Sequence, residues 1–361
     1  MYQDSGRDSD NGLHIIVLST NTANRVAKYV FDTYTPTMEH SLIQFLESLS
    51  PGRLVIFTVK DDASSHLQSD LRSKISKMFG SKQVGAVGFR SMWAMAATTG
   101  DGEQNPPLLL GESISLSPDK KDWAERVALE VDFEFSNSEN TIWCPNWGEE
   151  NGDDRFVTKR RKFCQSYGGY SHLCNCDRPD PVRFAPEDFN DNQITKDQVV
   201  IMACNRPHSL YKVLRSVLTA FGCNRENVWV MISGYDYDKE MIAMAELFGV
   251  HSKVFSPKGV GKNRITQHYG LVLKDVFDTD REESVENVII LEDDLMVSPD
   301  FFSYFSQTKY LMEEDPSIWC ISAWNDHGFG HTSSDPSLVY RVQGMPGLGW
   351  MLSKRLFKCK F

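Results

Sequence analysis

Val288-Ile289-Ile290-Leu291-Glu292-Asp293-Asp294 is the stretch on which the reading of this chain turns. An apolar run rich in β-branched residues has the length and character of a strand buried on both faces. Three carboxylates follow it without a gap. Adjacent carboxylates repel one another, so a strand that delivers them to one point makes chemical sense where a divalent cation or sugar hydroxyls compensate the charge. A solvated acidic turn is the bland alternative, and these residues alone do not choose between the two.

Upstream, Gln198-Val-Val-Ile-Met-Ala203 is another continuous apolar run, and Asn205-Arg206-Pro207 opens a helix over 209–219 with proline at a permitted first-turn position. A strand over 228–232 and helices over 239–248 and 265–277 follow. This alternation predicts a largely parallel sheet with helices on both faces, in which ligands bind beyond the carboxyl ends of the strands. Arg206 stands at one such end, where a guanidinium can meet a nucleobase or a phosphate. His268, on the helix over 265–277, is either a neighbour of the ligand or a residue packed beneath it. No Gly-rich loop with a Lys or Arg for a triphosphate follows Ala203, which argues against a nucleotidyltransferase.

The first part of the chain reads as a separate α/β module, with strands over 13–19, 26–31 and 53–59 and helices over 38–48 and 65–79. His66, alone on an amphipathic helix, is a packed or solvated residue rather than a base. Sugars are held by planar carboxylate and guanidinium groups and by an aromatic face. Asp61, Arg90 and Trp93 can supply these; surface charges beside a core tryptophan are the equal alternative on residue type.

Between these parts the sequence is loop-rich. Cys144, Cys164, Cys174 and Cys176 cluster there, the pattern of disulfide stapling in an oxidising compartment. A zinc site of Cys164, His172, Cys174 and Cys176 is the rival, disfavoured by a Cys-x-Cys spacing. Cys204, Cys223 and Cys320 are expected as buried thiols, and Lys159-Arg160-Arg161-Lys162 as a solvated helix face. The predicted division is 1–118, a linker over 119–192, and 193–361. A net charge of −11 over 361 residues excludes a nucleic-acid binder, which would need clustered cations. No apolar stretch approaches the ~20 residues that span a bilayer, and residues 1–10 are polar.

Several motifs carry a resemblance. Leu291-Glu-Asp-Asp-Leu295, Ser298-Pro-Asp-Phe-Phe302, Cys320-Ile-Ser-Ala-Trp-Asn-Asp326 and Met345-Pro-Gly-Leu-Gly-Trp350 resemble, in order and spacing, the β-1,2-N-acetylglucosaminyltransferases of the N-glycan and O-mannose pathways. Phe31-Asp-Thr-Tyr34, residues 51–61 and Gly88-Phe-Arg-Ser-Met-Trp93 look like a FAM3-like stem, which favours the O-mannose branch. The resemblance implies an incomplete GT-A domain behind that stem, a UDP-N-acetylglucosamine donor, Mn2+, inversion, and an O-mannosylated, dystroglycan-like glycoprotein acceptor. It implies the lumenal side of the Golgi membrane, with the anchor absent from these residues.

Residue by residue, the resemblance makes Asp294 the metal ligand. Glu292 and Asp293 become contacts to ribose and sugar, and Arg206 and His268 contacts to the nucleotide. Trp324, Asn325 and Asp326 support the site, and Gly347 and Gly349 let backbone approach the donor. In the stem, Asp61 and Arg90 match glycan contacts, while Asn11 stands where the family has an arginine. Ser233 replaces the family's Asp partner for uracil. The family's base is an Asp in a Trp-Asp-rich segment downstream of Gly347-Leu-Gly-Trp350, so the expectation is a truncated chain whose catalytic base lies beyond Phe361.

Overall fold

The computed structural model describes residues 11–35, 38–100, 106–119, 122–134, 144, 147, 154–170, 172–233, 237–259, 261–278, 285–333, 335, 337–344 and 347–360. The fold is mixed α/β and divides into two compact units, Met1–Asp180 with Gly259–Lys262, and Pro181–Lys258 with Asn263–Phe361.

Unit 1 holds an antiparallel sheet of β1 (Gly12–Ser19), β2 (Arg25–Phe31), β3 (Arg53–Lys60), β4 (Met92–Thr98) and β5 (Leu108–Ser115), in the order β2-β1-β3-β4-β5. Alternate residues of β1, Leu13, Ile15 and Val17, are completely buried, as are Leu42, Phe45 and Leu46 of α1 (Met38–Ser48) and Leu71, Ile75 and Phe79 of α2 (Ser69–Phe79). The helix expected from residue 65 begins four residues later. Asp62, itself buried, occupies the intervening turn: its carboxylate accepts from the Ser64 N–H and hydroxyl, the Ser65 hydroxyl and the Arg90 N–H.

Trp93 belongs to this core. It is 1% exposed, lies 5.8 Å from the Phe57 ring and donates its indole N–H to Glu112 Oε1 at 2.9 Å. That corrects its candidacy as a sugar platform. The basic run lies on α3 (Asp154–Ser166), and it too needs correction. Lys159 and Lys162 are exposed, but Arg160 is buried over the Phe156 ring and donates to the Asp180 carbonyl at 3.0 Å. Disulfides Cys144–Cys176 and Cys164–Cys174 consume all the thiols of the rival zinc site.

Unit 2 contains β6 (Gln198–Ala203), β7 (Val228–Ile232), β8 (His251–Val254), β9 (Asn287–Glu292), β10 (Cys320–Ser322) and β11 (Trp350–Ser353), ordered β10-β11-β9-β6-β7-β8. Strands β9, β6, β7 and β8 are parallel, whereas β11 runs antiparallel to β9 and to β10. The helices are α4 (Pro207–Thr219), α5 (Asp238–Phe248), α6 (Gly261–Asp278), α7 (Phe301–Thr308), α8 (Leu311–Glu314) and α9 (Lys354–Lys360). One core cluster joins Val200 and Met202 of β6, Val288 and Ile290 of β9, and Val272, Val276 and Phe277 of α6. From β6 the chain first builds towards β7 and β8, then returns to place β9 on the other side of β6. The β6–β9 boundary is therefore the topological switch point, where open α/β sheets leave a crevice beyond the strand ends. Among the described residues no helix is long and apolar enough to cross a membrane. Cys204, Cys223 and Cys320 are free but only partly buried, less enclosed than expected.

Asp62→Ala is expected to lower the stability of the folded chain by roughly 2 kcal/mol, because it strands donors that now bond a charged acceptor. Urea denaturation checks this.

Candidate functional site

The site is assembled where β6 and β9 end side by side. Met202 pairs with Glu292, and the two chains stay joined beyond the ladder. The Asp293 N–H donates to the Met202 carbonyl at 3.0 Å, and the Cys204 N–H donates to Asp293 Oδ2 at 2.8 Å. Asn205 then takes a left-handed turn, φ 55°, which sets Arg206 at the N-cap of α4. The Arg206 guanidinium reaches back over the acidic turn: Nη2 pairs with Asp293 Oδ1, and Nη1 donates to Asp294 Oδ2 at 2.6 Å.

Three adjacent carboxylates thereby receive three different environments. Asp293 has no exposed surface, Glu292 is half-buried and accepts from the Tyr269 hydroxyl at 2.8 Å, and the Asp294 side chain is 45% exposed. Burial pushes the Asp293 carboxyl up to about 7 against the opposing pull of the Arg206 charge and the Cys204 N–H. Burial also works to lower the Arg206 pKa, but Asp293 and Asp294 together hold it above its ordinary value. The Tyr269 hydroxyl is raised by burial and by the Glu292 charge, so it remains a donor.

Among the described residues no three His, Cys, Asp or Glu side chains form a metal cage. The donor set fits a different mode. Asp294 offers one hard, accessible oxygen ligand, which suits a Mg2+- or Mn2+-like cation that keeps waters and takes its remaining ligands from phosphates.

Ser233 and His268 lie deeper. The Ser233 N–H bonds the Ala203 carbonyl at 3.0 Å, its own carbonyl accepts from Arg264 at 2.7 Å, and the residue is only 2% exposed. The His268 ring is buried, 5.9 Å from that of Phe255. Burial, then the nearby Arg264 charge, lowers its pKa to about 4. Its neighbour Tyr269 is the residue that α6 brings to the acidic turn, and residue type alone had not marked it. At the other flank Gly349, φ 68°, opens β11; a Cβ there would stand 3.4 Å from Leu291 and from Phe301. The half-exposed Trp324 donates its indole N–H to Asp326 at 2.9 Å.

In unit 1, Asp61 and Arg90 both sit in left-handed turns, φ 68° and 59°. The Arg90 guanidinium stacks at 5.2 Å on Phe89 and 5.0 Å on Trp123, both exposed. Exposed Tyr34 lies within electrostatic reach of Asp62, Asp61 and Arg90. Two exposed aromatic faces thus flank Arg90, and neither of them is Trp93.

Residues 185–359 match the GNT-I family, and residues 11–101 match the interleukin-like EMT inducer family. The region matched to the GNT-I family falls almost wholly on unit 2. The Arabidopsis thaliana alpha-1,3-mannosyl-glycoprotein 2-beta-N-acetylglucosaminyltransferase is 32% identical over 167 residues, covering 43% of this chain and 37% of the plant enzyme. Human protein FAM3B is 28% identical over 123 residues, 33% of this chain and 51% of that protein. The chain therefore spans only about a third to a half of the length of these relatives. Glucosyl-3-phosphoglycerate synthase from Mycobacterium tuberculosis, solved with Mn2+, UDP-glucose and phosphoglyceric acid, is 13% identical. It aligns over 48% of this chain and 66% of its own, with a TM-score of 0.28. The region matched to the GNT-I family contains Arg206, Tyr269 and the whole acidic triplet.

A buried histidine with a lowered pKa stabilises the fold fully above its unfolded value near 6.5, and that contribution is lost as pH falls through about 4. His268→Phe, which keeps a ring against Phe255, should flatten this dependence. Between pH 7 and pH 4 the wild type should lose roughly 3 kcal/mol more than the variant in denaturant titrations.

Proposed function

We propose that unit 2 binds UDP-N-acetylglucosamine together with Mn2+ at the joined ends of β6 and β9. We infer that the protein transfers N-acetylglucosamine, with inversion, in β-1,2 linkage to O-mannosyl groups of a glycoprotein. The observation that carries this is the meeting of Arg206 with the graded acidic turn at the switch point of a GNT-I family domain. In this reading Asp294 holds the metal, which supplies charge neutralisation of the diphosphate. Arg206 takes the nucleotide's anionic oxygens. Glu292, oriented by Tyr269, accepts from ribose or sugar hydroxyls. Asp293, wholly enclosed, anchors Arg206 and the Cys204 amide from beneath. Ser233 and His268 form the floor under the nucleotide.

The stem, 1–118, presents Asp61 and Arg90 with Tyr34 and Phe89 as a glycan-binding surface, to which Trp123 is added from the start of the Cys-containing linker, 119–192. Residence on the lumenal side of the Golgi membrane accords with the disulfides. The Arg90 cluster also favours a second reading, a lectin-like protein in which only the stem works.

Calorimetry with UDP and with an O-mannosyl glycopeptide separates the readings. Asp294→Ala should weaken UDP binding in Mn2+ by about tenfold or more while leaving glycopeptide binding unchanged, as expected for loss of one charged contact. Arg90→Ala should do the reverse. Glycopeptide binding with no UDP binding, in the presence or absence of Mn2+, would establish the lectin-like reading instead.

A further inference from the structure

The Arg206 guanidinium occupies the position of a cation before any ligand arrives. Asp293 is completely enclosed, so its charge requires a partner supplied by the protein itself. Asp294 is the neighbouring carboxylate with an open side. Arg206 serves both at once, Nη2 on Asp293 and Nη1 on Asp294. Its backbone is fixed, since the Leu210 N–H donates to the Arg206 carbonyl at 3.0 Å in the first turn of α4. Its side chain is 36% exposed, and Nη1 is the nitrogen on the accessible carboxylate.

From this geometry we infer that Arg206 is an internal counter-cation which competes with the metal for Asp294 and is drawn away by the diphosphate, so that metal and nucleotide bind tightly only together. The inference rests on the donor-site reading above. A divalent cation arriving alone must displace Nη1 from Asp294 and then sit beside an unneutralised guanidinium, and like charges at that range repel. A diphosphate arriving alone gains a charge-assisted bond to Nη1 but faces Asp294 stripped of its partner. When both arrive, Nη1 passes from Asp294 to a phosphate oxygen, the metal takes Asp294, and Nη2 stays on Asp293 so that the buried carboxylate is never left bare. Each ligand removes the other's cost, and such coupling is reciprocal. A lysine cannot reproduce the arrangement, because a single ammonium lacks the planar fork that bridges two carboxylates.

The test is Mn2+ titration followed by the electron paramagnetic resonance signal of the free ion, with and without saturating UDP, on the wild type and Arg206→Lys. Saturating UDP should tighten Mn2+ binding to the wild type by about tenfold or more, within the usual range of coupling between sites. Arg206→Lys should bind Mn2+ alone more tightly than the wild type and lose most of the enhancement by UDP. Equal enhancement in both proteins, or weaker binding of Mn2+ alone by the variant, overturns the inference. The wild type suffices if the variant does not fold, since UDP binding that is indifferent to Mn2+ also overturns it while leaving the donor site standing. Failure of UDP to bind under any condition removes both.

Discussion

A carboxylate with no exposed surface is held at the end of an apolar strand, and the arrangement around it follows from that constraint. Asp293 is carried inward by the parallel pairing of β9 with β6, whose buried residues shield it from bulk solvent. Its oxygens are met by the Cys204 N–H on one side and Arg206 on the other. Those two groups come from the turn after β6, so the buried charge also fixes that turn and the start of α4. Asp294, one residue on, is left at the surface with a hard oxygen to offer and a guanidinium already leaning on it. Burial of one acid is thus what makes the next one available.

The two units present different chemistry at their candidate sites. At the strand ends of unit 2 the groups are acidic and cationic, suited to a charged diphosphate and to hydroxyls. In unit 1 the guanidinium of Arg90 lies against exposed aromatic rings. Its position depends on Asp62, which holds the Arg90 amide and the turn before α2 together. On the proposed reading the first surface handles a nucleotide sugar and the second an uncharged glycan, each by the forces its groups can exert.

Much of the central sheet was legible because strands buried on both faces leave unbroken apolar runs, as at Gln198–Ala203 and Asn287–Glu292. Strands β4 and β8 escaped for opposite reasons. The former is rich in alanine rather than in β-branched residues, and the latter is short and mostly exposed, so no burial pattern marks it. The acidic turn and Arg206 could be placed from their positions after strands. Their contact could not, because it joins residues 88 apart in sequence. Tyr269 and Trp123 were invisible as partners, since a helix face and a loop declare their neighbours only once folded. Arg160 was misread because a basic run looks solvated unless one knows that a ring and a carbonyl await a single member of it. The cysteine cluster told of stapling but not of which thiols pair.

The most direct measurement is anomalous diffraction at the manganese edge from crystals grown with MnCl2 and UDP. The account predicts a metal peak at bonding distance from Asp294, with the diphosphate between it and the Arg206 guanidinium. A metal bound away from the ends of β6 and β9, or a nucleotide seated elsewhere in the chain, would contradict it.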